Sequence, residues 1–274
     1  ATVSNRRHVS YQPTQPVRSM AVRSKPAHLA PAGFFIIFPL SFILTFFVAL
    51  KHRHVDLIIP YISDTGDRPP ESCVFAMLVT ICCAIMALSI YVRHLQINQH
   101  LSDEKTDRSR ALWNNISSGF GAASASGMLL VANFQEDNDY PVHYTGAALC
   151  IWGGSIYFVF QTFISYLMRE HLTSMYLLYL RVVLSTLAVL FNMIGMVSTV
   201  AAIKHAPKGM PQKTTVSDWS PSDPFWLVHV LSVISEWTLA FLLSVIVLTF
   251  VPELRRMKVV FPRLKIANIS QEDE

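Results

Sequence analysis

Charge is what this chain has least of. Of its 274 residues only 15% are Asp, Glu, Lys or Arg, while 52% are hydrophobic; an ordinary soluble domain is nearer a quarter charged. So low a charge content points away from an ordinary soluble domain. Cysteine is also scarce. Cys73, Cys82, Cys83 and Cys150 all fall within or at the edge of apolar runs, so no disulfide framework is expected; buried free cysteine acts as a small hydrophobe. Neither His-x-x-x-His nor Cys-x-x-Cys spacing occurs, which leaves a zinc site without sequence support. The alternating ten-residue strands of a membrane barrel are absent. Internal repeats, an acidic dileucine and a tyrosine-based sorting signal are absent too, so motifs do not name an organelle.

What the chain has instead is length in apolar runs. A helix crossing a bilayer needs about 20 mostly apolar residues. Six stretches meet that test, near 32–50, 73–92, 113–134, 143–168, 176–203 and 225–251. In lipid each backbone polar group must be satisfied internally, so these runs read as helices. The expected fold is an all-α, polytopic membrane protein with a six-transmembrane-helix bundle over 32–251. Residues 1–31, with Pro13, Pro16, Pro26 and Pro31 among polar and basic residues, read as a disordered basic tail; 252–274 read as a second tail. The first tail has no apolar core of its own, so it is not expected to be a signal peptide. The chain opens on Ala1 rather than Met, and its start is expected upstream.

Orientation follows the basic residues. The N-terminal tail, the second and fourth loops with Arg181 just inside the next span, and the C-terminal tail hold 16 of the 22 Lys and Arg. The third loop, Gln135 to Val142, has none. Both termini are therefore placed in the cytoplasm. The net charge of +4 suits an anionic leaflet and needs no nucleic acid. The sequons at Asn115 and Asn268 fall on that side or inside a span, so neither is expected to carry a glycan.

Polar residues within the spans are the functional candidates, because ionisable groups in a membrane are costly. Glu236 lies 11 residues into the sixth span, close to mid-membrane. His229 is seven residues earlier on the same face, with Ser232 beside that face. Asn192 lies mid-way along the fifth span. Asn133 and Gln135 end the third, and His143 begins the fourth. Bundled, these helices would gather His143, His229, Glu236 and Asn133 into one pocket. Three readings fit that set: interhelical hydrogen bonding, a lipid or small-solute site, and a catalytic or metal site. Arg181 is expected to snorkel to the interface. In the third span Gly119, Ala123 and Gly127 fall four apart, with Ser118, Ala122 and Ser126 beside them. Small residues at that spacing let helices approach closely, within the bundle or between two copies.

The stretch Pro60-Tyr61-Ile62-Ser63-Asp64-Thr65-Gly66 contains Asp-Thr-Gly, the tripeptide of soluble aspartic proteases. That chemistry needs two carboxylates sharing a proton, and one copy is present, in a loop too short for a β-rich protease fold. Intramembrane aspartyl proteases carry Gly-x-Gly-Asp, which is missing. The local physics favours a turn, with Asp64 accepting backbone N–H bonds and Gly66 free to take positive φ. Glu71 or Ser72 suits the N-cap of the next helix. We read the turn as a lid on the bundle mouth above Glu236.

The same loop, with Pro70-Glu71-Ser72, Tyr91-Val92-Arg93, Val131-Ala132-Asn133-Phe134-Gln135, His143, Gly146, Gln161, Ser165-Tyr166, Trp219, Pro221, His229 and Glu236-Trp237-Thr238, resembles the DRAM (damage-regulated autophagy modulator) family of six-span proteins, in a wider group that includes GPI-anchor remodelling factors. The likeness runs from about Phe34 to Val260. It departs at the basic N-terminal tail and the Pro- and Lys-rich fifth loop. The resemblance implies a lysosomal or endosomal membrane protein modulating autophagy, linked in some members to cell death, with no enzymatic chemistry to transfer. The expected action is recognition of membrane lipids or a membrane partner through Asp64, Asn133, Gln135, His143, His229 and Glu236, without metal or cofactor. A homodimer through Gly119, Ala123 and Gly127 is a further expectation. Alternatives are a membrane-embedded lipid or GPI-anchor remodelling enzyme, which would need His143, His229 and Glu236 to converge, and a solute or proton transporter.

Overall fold

The computed structural model describes residues 24–57, 60–103, 108–205, 219 and 221–260. Six long helices form one bundle: α1 (Leu29–His52), α2 (Glu71–Asp103), α3 (Arg108–Asn133), α4 (Tyr140–Leu167), α5 (Met175–Lys204) and α6 (Trp226–Leu248). A short α7 (Val251–Leu254) follows, and two three-residue strands, β1 (Ser24–Pro26) and β2 (Lys258–Val260), pair antiparallel. Among the described residues five helices, all but α3, are long and apolar enough to cross a membrane. The protein is an all-α polytopic membrane protein. The β1–β2 pairing sets residues 24–26 and 258–260 side by side at one end of the bundle. The loop between α1 and α2, with a 3₁₀ turn over Ser63–Gly66, closes the other end.

α3 carries the small residues and packs along α4. A Cβ on Gly127 would stand 2.5 Å from the Gly146 carbonyl oxygen and nearer still to the Cys150 amide, and one on Gly153 would stand 3.0 Å from the Ser124 amide. Only glycine lets these two backbones come so close. Gly127 is therefore closed against α4 inside the chain, Ala123 is half-buried, and Gly119 lies exposed with open space around it. The three residues do not share one free face.

α2 extends a further eleven residues past the apolar run that ends near 92. Its polar extension still buries Ile97 and Leu101, against Ile164 of α4 and Met168 just beyond it, so amphipathic packing continues the helix where hydropathy stops. The tail expected from 252 starts with α7 and β2, and residues 24–31 hold β1 and the start of α1; residues 1–23 and 261–274 lie outside the described residues, as does Asn268. Asn115 is an exposed residue of α3, and all four cysteines are free.

At the end bearing the β1–β2 pair, Arg93 and Arg181 are fully buried. Arg181 does not snorkel. Its Nη1 donates to Glu253 Oε1 (2.9 Å) and Ser165 Oγ (2.7 Å), and its Nε to Thr249 Oγ1 (2.9 Å). Arg93 pairs with Glu253 Oε2 and donates to Gln161 Oε1 (3.1 Å). Both guanidinium groups lie 5.0 Å from the Phe250 ring centre. The counter-ion that keeps Arg181 inside comes from α7, in a segment that reads in sequence as tail.

Candidate functional site

The opposite end is built around the α1–α2 loop. Pro60 brings its carbonyl under α6, where Trp237 Nε1 donates to it at 2.7 Å. Tyr61 Oη then meets Ser232 Oγ, and the Ile62 N–H donates to Glu236 Oε2 at 3.0 Å. Asp64 accepts the Tyr61 N–H at 3.0 Å, the self-bonded turn expected of an aspartate there. Thr65 Oγ1 bonds Ile62 O at 2.8 Å and Thr45 of α1 at 2.9 Å. The loop is thus tied to α1 and α6, and it covers Glu236 directly. Gly66 is needed for closeness, not for positive φ: a Cβ there would overlap the Phe75 ring. Glu71 opens α2 fully buried and pairs with His54, rather than lying free at the helix end.

Beside this lid a cleft of about 420 Å³ runs between α4, α5 and α6. One wall is α4, from Tyr140 through His143 and Tyr144 to Trp152; the other is α5, from Phe191 to Ile203. Ser232, Ser235 and Glu236 of α6 form its floor, and Tyr61 and Ser63 its lid side. Met196 and Val200 line it yet are nearly half exposed, so it opens sideways between α4 and α5, towards lipid. A smaller apolar cavity of about 100 Å³ lies beyond, reaching Phe42 and Phe75 and sharing His143 and Glu236 with the cleft.

The expected site residues separate in the structure. His143 and Glu236 meet at the cleft, and Asn192 joins them. His143 is held by a 2.7 Å bond between Nδ1 and Phe134 O, with Nε2 4.0 Å from Glu136 Oε2. His229 does not line the cleft. It is stacked on Trp219, with ring centres 4.8 Å apart, and meets the edge of Tyr61 at 5.3 Å. Asn133 is exposed and donates to Thr80 Oγ1 and Leu129 O; Gln135 accepts from Asn138. Neither faces the cleft. Asp64 is buried behind the lid, not in solvent, and does not line the cleft either.

Glu136 is the residue that sequence reading misses. It sits in the α3–α4 turn, accepts from Ser63 Oγ at 3.1 Å and from Tyr144 Oη at 3.2 Å, and lines the cleft. Its one sequence signal is an acid next to Gln135 in a loop with no Lys or Arg. Carboxylates crowd this end, and the loop groups feel it. Burial, then the charges of Glu136 and Glu236, push Asp64 well above the usual carboxylate range. Burial and the neighbouring Asp137 push Asp67 up to about 7. Burial pushes the Tyr61 phenol up to about 12, so it stays a neutral donor.

A family model described as the Frag1/DRAM/Sfk1/Cwh43P N-terminal domain matches residues 26–257. The chain is similar to DNA damage-regulated autophagy modulator protein 2 of Mus musculus, 29% identical over 219 residues that cover 79% of each protein. It is similar to DNA damage-regulated autophagy modulator protein 1 of Homo sapiens, 32% identical over 213 residues, 78% of this chain and 84% of the relative. It is also similar to Modulator of macroautophagy TMEM150B of Bos taurus, 34% identical over 127 residues, 46% of this chain and 51% of the relative. No solved structure matches it.

Proposed function

Because this chain belongs to the Frag1/DRAM/Sfk1/Cwh43P family, we propose that it modulates autophagy from an endolysosomal membrane by recognising a membrane lipid in the α4–α5–α6 cleft. The relatives' names supply the process. The cleft supplies the mode: a pocket of about 420 Å³ that opens to lipid on one side and has Glu136 and Glu236 in its lining. Sites for small molecules share that design, mostly apolar walls with a few placed polar groups. The family resemblance supports the endolysosomal location, and the basic flanks support cytoplasmic termini.

Binding rather than catalysis is the reading that the side chains favour. The remodelling alternative needs His143, His229 and Glu236 around one bound head, and the aromatic sandwich of Trp219 and Tyr61 holds His229 away from the other two. Glu236 spends one oxygen on the Ile62 N–H, which suits a residue that fixes a lid.

The test fills the cleft. Ala148 lines it from an exposed position on α4, so Ala148→Trp can block it from the lipid side without breaking the core. In cells lacking the protein, wild type is expected to restore lysosomal degradation of a cargo reporter, and Ala148→Trp is expected to reach the same membranes and fail. Full rescue by the blocked variant would sink the reading.

A further inference from the structure

Among the described residues that line the cleft the charged side chains are the two carboxylates of Glu136 and Glu236, and none is Lys or Arg. Consecutive loop residues hold its two carboxylates: Ser63 Oγ donates to Glu136 Oε2 and the Ile62 N–H donates to Glu236 Oε2. Acids from the α3–α4 turn and from α6 are thereby brought to the same place. Among the described residues, Glu236 Oε1 receives no hydrogen bond. Asn192, only 4% exposed, donates from Nδ2 to Ser155 Oγ, and among the described residues its Oδ1 accepts no hydrogen bond. His143, the one imidazole among the described residues that line the cleft, has already committed Nδ1 to Phe134 O. Among the described residues, the wall offers these two carboxylates no Lys or Arg as counter-ion.

The length of the cleft sets the rest. Its α5 wall from Phe191 to Ile203 covers about 18 Å at 1.5 Å per residue, roughly one leaflet of a 30 Å hydrocarbon core. From the proposed lipid-recognition role, on which this step rests, we infer that the cleft takes the ammonium head of a single-chain amphiphilic amine. The head lies between Glu136 and Glu236, and its chain lies along α5 towards the surrounding leaflet. An ammonium group offers three donors, which Glu136, Glu236 and the free end of Asn192 can accept. A phosphate head would meet two carboxylates with no cation to offset them. A bare hydroxyl would leave a carboxylate without its counter-charge, which is costly away from water.

The experiment uses the full chain in lipid nanodiscs with three photoreactive C18 chains that differ only in the head: primary amine, alcohol and phosphate. The amine is expected to label α4 and α5 peptides of the cleft about tenfold more than the alcohol, the difference a charge-assisted contact makes, and the phosphate is expected not to label them. Glu136→Gln and Glu236→Gln are each expected to lower amine labelling by about tenfold. Val200→Lys, at an exposed position on the cleft rim, is expected to abolish it with unchanged thermal stability, because its own ammonium competes; that variant decides the matter if a glutamine variant fails to fold. Equal or stronger cleft labelling by the alcohol or phosphate overturns the amine assignment and leaves lipid recognition standing. Absence of cleft labelling by all three chains overturns both.

Discussion

Replacing Glu253 with glutamine should cost this protein more stability than almost any other isosteric change. Glu253 is the shared counter-ion of Arg93 and Arg181, and both arginines are fully buried. Its Oε1 also receives Thr173 Oγ1 at 2.8 Å. A glutamine keeps the shape and can still accept one bond, but two guanidinium groups, each 5.0 Å from the Phe250 ring centre, then share the site with no negative charge between them. Removing one partner of a buried ion pair costs about 3–5 kcal/mol. For a protein of this size 1 kcal/mol moves Tm by roughly 2–4 °C, so the expected drop is about 6–20 °C. The assay is thermal unfolding of purified protein in detergent or nanodiscs, followed by tryptophan fluorescence. A second variant separates charge from packing: Arg93→Met, Arg181→Met and Glu253→Leu together replace the ions by apolar groups, and such exchanges are often neutral or stabilising. A Glu253→Gln protein within about 2 °C of wild type would refute the reasoning, since the network would then not be holding the charges where the structure puts them.

Other outcomes follow from the same geometry. Gly127→Ala forces a Cβ against the α4 backbone and should cost about 1–3 kcal/mol by overpacking, while Gly119→Ala, with open space around it, should leave Tm unchanged; equal effects would contradict the α3–α4 packing. Trp237→Phe removes the 2.7 Å bond to Pro60 O and leaves that carbonyl unsatisfied, at about 1–3 kcal/mol, and hydrogen exchange over residues 60–66 should quicken. Asp67 holds its proton up to about pH 7 in the folded protein and loses it near pH 4 when unfolded. Between those values the folded state binds more protons, so stability falls as pH rises through that window; Tm should be higher at pH 5 than at pH 8, and Asp67→Asn should flatten that slope.

How much of the site is legible in sequence depends on how local each signal is. Glu236 and His143 stand out as polar residues in or at the edge of apolar runs, and both reach the cleft. Asn133 and Gln135 give the same signal and face elsewhere, because a helix face is chosen by which neighbour packs on it. His229 shares the Glu236 face two turns away, yet Trp219 and Tyr61 claim it from other segments. Glu136 gives almost no signal, since its partner Ser63 is 73 residues distant.

The sequence by itself determined that this is a helical membrane protein, because apolar run length is a local property and lipid leaves the backbone few other choices. The Pro60–Gly66 segment likewise carries its own turn chemistry in Asp64. Only the tertiary structure decided that the turn dips in to hold Glu236, that Arg181 stays inside on Glu253, and that Gly127 is closed against α4. Each of those depends on two groups far apart in the chain meeting within about 3 Å, a distance that composition and spacing along one segment do not encode.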